Sequence, residues 1–98
     1  MKINNTEKTL AEFREKLRLN ELTKNTIKNY SRAVRTYLDF CEGDVSLETA
    51  IAFKDYLKAT LDEVTVNLYI NALNYFFRTS GENYTLKCIP IKKATTVE

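Results

Sequence analysis

The chain has 98 residues and a net charge of +2; 44% of it is apolar, and it contains two Gly, one Pro, two Cys and no His. That length holds one domain, and so few chain breakers point to an all-helical one. Without His the common zinc sets are out of reach, and the longest apolar run, residues 50–53, is far below the roughly 18 residues of a membrane span. The expectation is a cytoplasmic protein with no metal, no cofactor and no disulfide.

Residues 1–5 are polar and read as a frayed end. Thr9 and Glu12 then have the spacing of a capping box, and Leu10, Phe13 and Leu17 follow at helical intervals, so a first helix should close near Leu19. Asn20 to Leu22 make a turn. Thr23 offers a hydroxyl to the open amides of a second helix, which Gly43 stops. Ser46 caps a third, with Ile51, Phe53, Tyr56 and Leu57 on its inner side and Ala59 and Thr60 at its close. Asp62 caps a fourth that runs to about Thr79, before Gly81. Four helices with short connections form a bundle, and Phe13, Tyr30, Val34, Leu38, Phe53, Leu57, Leu73, Phe76 and Phe77 are its expected core.

The second helix is the most regular of the four. At about 100° per residue, Ile27, Tyr30, Val34, Tyr37, Leu38 and Cys41 form one apolar stripe, while Lys24, Lys28, Arg32 and Arg35 gather within about 80° beside it. Two readings compete: a solvated face, softened by Asp39 and Glu42, or a surface for a polyanion. The distribution of charge along the chain favours the second. Residues 23–43 carry four positive and two negative side chains, whereas residues 44–63 carry two positive and five negative, so the acidic part should face away from DNA.

An internal repeat runs through the chain. At a shift of 39 residues, Leu22, Thr26, Tyr30 and Ala33 recur as Leu61, Thr65, Tyr69 and Ala72, and at a shift of 40, Phe13 and Leu17 recur as Phe53 and Leu57. The first two helices are thus echoed by the last two, as two related helical hairpins or as amphipathic helices that share apolar spacing. The echo does not extend to charge: Lys28, Arg32 and Arg35 correspond to Asn67, Asn71 and Asn74, and Arg78 continues that row. An Asn can bond an adenine edge or donate to phosphate. Nine Asn in a chain rich in Lys, Ile and Tyr are equally what AT-rich codons would scatter over solvent faces.

Residues 22–30 (LTKNTIKNY) with Val34, Tyr37, Leu38 and Phe40, followed by Val64, Thr65, Val66, Asn67 and residues 72–77 (ALNYFF), resemble the two signature helices of the N-terminal core-binding domain of tyrosine recombinases, the phage integrase family. The resemblance spans residues 9–81. It implies a four-helix SAM-like bundle, half of a clamp around a recombination site, with the second and fourth helices towards double-stranded DNA. Under it, Lys24, Asn25, Lys28, Arg32, Arg35, Thr65, Asn67, Asn71, Asn74 and Arg78 are candidate DNA contacts. Residues 1–81 form the DNA-binding domain, and residues 82–98, with Lys92 and Lys93 as further DNA contacts, a linker toward a catalytic domain that this chain does not include. The family breaks and rejoins DNA through a tyrosine aided by Arg and His; with no His here, and with Tyr30, Tyr37 and Tyr69 on apolar stripes and no basic cluster around Tyr56, Tyr75 or Tyr84, no catalytic residue is expected. The chain is then a monomeric, nucleoid-associated fragment of a bacterial or phage-derived recombinase that meets other protomers on DNA. The alternative is a helical protein interaction module docking through a secondary strip of Leu68, Ala72 and Tyr75 on the fourth helix.

Overall fold

In the computed structural model, which describes residues 2–89, the chain is four helices: α1 (Thr6–Leu19), α2 (Lys24–Cys41), α3 (Leu47–Thr60) and α4 (Glu63–Thr79). The all-α bundle expected from the spacing is the fold. Three caps stand where the sequence puts them: the side chains of Thr23, Ser46 and Asp62 accept from the backbone N–H groups of Thr26, Thr49 and Thr65. In α3 the cap is reciprocal, since the Thr49 hydroxyl also accepts from the Ser46 N–H at 3.0 Å.

The first helix differs from expectation. It starts at Thr6, and its cap is Asn5, whose side chain accepts from the Lys8 N–H at 3.1 Å, so the Thr9–Glu12 pair lies inside the helix. Residues 2–5 are held rather than frayed. Ile3 donates its N–H to the Gly43 carbonyl at 2.7 Å, and Lys2 bridges to Asp44. Gly43 makes that pairing possible, because a Cβ there would sit 2.4 Å from the Ile3 oxygen and its φ is +82°.

Helices α2 and α4 lie against each other, with α1 and α3 each packed on both. Between them Phe13, Leu17, Val34, Tyr37, Leu38, Phe53, Leu57, Leu73, Phe76 and Phe77 are buried. The repeat is visible in this core: Phe13 and Phe53, Leu17 and Leu57, Ala33 and Ala72, and Tyr37 and Phe76 are buried pairs at matching positions. Tyr30, an expected core residue, is only partly buried and sets its ring 6.0 Å from Tyr75. Ile51 and Tyr56 depart further, at 47% and 50% exposed, because Ala50, Phe53 and Leu57 complete the inner stripe of α3 without them. The strip proposed on α4 also breaks up. Ala72 is fully buried and Tyr75 packs on Phe13 and Tyr30, which leaves Leu68 as its exposed member.

The segment after α4 does not leave the bundle. Glu82 donates its N–H to the Phe77 carbonyl at 2.9 Å, the Tyr84 ring meets Phe77 at 4.9 Å, and Leu86 is 6% exposed within the core. Burying Leu86 contributes on the order of 1.5–3 kcal/mol, and the half-buried Tyr84 ring adds less. Residues 82–89 thus pack back onto the bundle.

Candidate nucleic-acid interface

The cations of α2 separate into two groups. Lys24, Lys28 and Arg32 are exposed, as is Asn25, and the three cations make no ion pair among the described residues. Arg35 does: its Nη2 lies 2.6 Å from the Glu7 carboxylate of α1. The hydrogen bond from Arg35 holds the Glu7 carboxyl below the usual carboxylate range, with the guanidinium charge adding to it. The pair closes one edge of the basic stripe and leaves the rest facing solvent.

On the opposite edge, Arg32 and Ala33 of α2 meet Thr65, Leu68 and Tyr69 of α4 along a shallow groove, with Asn29 beside them. Arg32 and Thr65, candidates from different halves of the repeat, thereby share one surface. Asn29 was not singled out from the sequence. Its place beside Ala33 on the wheel, at the border of the apolar stripe, is the signal that could have found it.

The amide row of α4 is placed differently from the cations it replaces. Asn74 donates its amide to the Leu86 carbonyl at 2.9 Å and accepts the Leu86 N–H at 2.7 Å. Asn67 repeats that pair with Ile89, at 2.9 and 2.8 Å. Both amides are thus turned onto the chain's own backbone instead of standing free towards a base edge. Asn71, between them and exposed, accepts a long contact from the Cys88 thiol at 3.6 Å, its one hydrogen bond among the described residues outside the helix backbone. Arg78 is exposed and lays its guanidinium over the Tyr75 ring at 4.9 Å, a single cation on that tyrosine. Lys92 and Lys93 lie outside the described residues.

Among the described residues no cluster of His, Cys, Asp or Glu has the layout of a metal site, and no helix is long and apolar enough to cross a membrane. Cys41 and Cys88 are free thiols, and burial pushes the Cys41 thiol up, away from the thiolate a nucleophile needs. The arrangement presents a surface: three cations with no ion pair among the described residues, a groove shared by α2 and α4, and an aromatic-backed Arg78 at the far end of α4.

Neither the curated proteins nor the solved structures give a match to this chain. A family model does, described as the phage integrase N-terminal SAM-like domain, over residues 9–84, which takes in all of α2, α3 and α4 and most of α1. The chain belongs to the phage integrase N-terminal SAM-like domain family.

Proposed function

We propose that this domain binds duplex DNA through the side it shows along α2 and across to α4, as the non-catalytic clamp half of a site-specific tyrosine recombinase. The observation that carries the reading is the state of Lys24, Lys28 and Arg32: three cations in one exposed row with no acidic partner among the described residues, ending at the groove where Thr65 of α4 begins. Unpaired cations in a row attract a polyanion and release its counterions on contact. Asn25 and Asn29 flank the row on α2; Thr65, Asn71 and Arg78 extend it over α4. Asn67 and Asn74 are left out, because both ends of each amide are already engaged, and Arg35 is held back by Glu7. Membership of the family supports a recombinase-related role, in which other recombinase protomers on the same DNA, and a bacterial or phage nucleoid, are the proposed surroundings.

Fluorescence anisotropy of labelled duplexes, titrated at several salt concentrations, tests this. Lys28→Ala and Arg32→Ala should each weaken cognate and scrambled duplexes alike and flatten the salt slope by about 0.9. Arg35→Ala should do less. Slopes and affinities that stay at wild-type values in both variants would sink the proposal.

A further inference from the structure

The amide row of α4 pairs with main chain in a repeated way. Asn74 takes both backbone groups of Leu86 and, seven residues earlier, Asn67 takes both of Ile89, so residues 86–89 run antiparallel to the helix. The spacing fits. Seven helical residues rise about 10.5 Å, and three residues of polyproline II cover about 9 Å and return to the same side of the chain, which a flat strand would not do. A chain of that kind has no internal hydrogen bonds and needs partners from outside. Residues 86–89, which belong to no helix or strand, find partners on two helices, for Lys54 of α3 also donates its ammonium to the Lys87 carbonyl. An amide suits the task because it both donates and accepts; Lys or Arg, which stand at the matching positions of α2, can only donate.

We propose that the amide row of α4 is a receptor for extended main chain, occupied by this chain's own residues 84–89, and that it acts as a clasp carrying the end of the domain from the last turn of α4 back to its first. Residue 89 then sits beside Asn67 rather than beyond Thr79, a displacement of about 18 Å along the helix. The side chains that help are Leu86 in the core and Tyr84 on Phe77; Asn67 and Asn74 themselves read backbone, while Asn71 between them meets the Cys88 thiol. This holds whether or not the domain binds DNA.

Hydrogen exchange on the free protein, followed residue by residue, tests it. Asn74→Ala should speed exchange of the Leu86 amide at least tenfold, Asn67→Ala should do the same at Ile89, and both should lower Tm although Ala is the better helix former. Ile89→Pro, which deletes an N–H that Asn67 accepts, should loosen the same end, and Cys88→Ser should leave both amides protected. Wild-type protection at Leu86 and Ile89 in the two Asn variants, or a Tm that rises, would overturn the clasp and return the row to a solvent face.

Discussion

The stripes of α2 and α4 occupy equivalent positions in a repeated hairpin, yet one is open and the other closed. Along α2, Lys24, Lys28 and Arg32 face solvent with no ion pair among the described residues; along α4, Asn67 and Asn74 spend their amides on residues 86 and 89. The difference lies in what each side chain can bond. A cation offers donors and long-range charge, which suit a distant phosphate, whereas an amide offers donors and an acceptor together at short range, which suit a peptide group. Two copies of one supersecondary unit thus carry one open and one engaged polar stripe without moving their buried positions, since Phe13 matches Phe53 and Ala33 matches Ala72 in the same core.

The bluntest way to break the comparison is to remove a core residue of α4. Phe76 is 1% exposed and meets Phe13 edge-on at 5.5 Å, so Phe76→Ala should cost about 3–5 kcal/mol, seen as a collapse of the denaturant midpoint. An unchanged midpoint would mean that α4 is not packed in the core as described. The repeat partner Tyr37 offers a gentler probe. Burial pushes its hydroxyl up to about 12, against a hydrogen bond with Thr49 that opposes the shift. An unfolded tyrosine ionises near pH 10, so the unfolded chain releases its proton first; the stabilisation is whole below pH 10 and is lost as pH rises from 10 to 12. The two-unit gap corresponds to about 2–3 kcal/mol. Burial raises Tyr84 in the same direction, so it adds to the loss. Urea midpoints between pH 8 and pH 12 check this: the decline should begin near pH 10 and shrink in Tyr37→Phe, whereas a flat profile would contradict the burial. The smallest effect falls on the open stripe. Lys28→Ala and Arg32→Ala should shift stability by less than about 0.5 kcal/mol while changing DNA affinity, and a larger loss would show that α2 uses those cations to fold.

Local order was legible from residues alone. Thr23, Ser46 and Asp62 mark helix starts because a side-chain oxygen three residues ahead of an open amide is a local contact, and Phe13, Val34, Phe53 and Phe76 mark the core because apolar spacing of 3.6 leaves them one direction to point. The start of α1 was missed for a related reason. Asn5 is as good a cap as Thr9, and what favours it is the pairing of Ile3 with Gly43, some forty residues away.

By itself, then, the sequence determined the helix count, most caps, most of the core and the likeness to the phage integrase N-terminal domain, all of which depend on residues within a few positions of one another. Only the tertiary structure decided which polar stripes stay free. Asn74 and Leu86 are 12 residues apart, Asn67 and Ile89 22, and Arg35 reaches back to Glu7 on another helix. On a helical wheel an amide row looks the same whether it faces water, a base edge or a backbone, because the wheel carries direction and not the partner. The partner is set by where the bundle's packing returns the chain: Leu86 sinks into the core, and the backbone around it is delivered to the amides of α4.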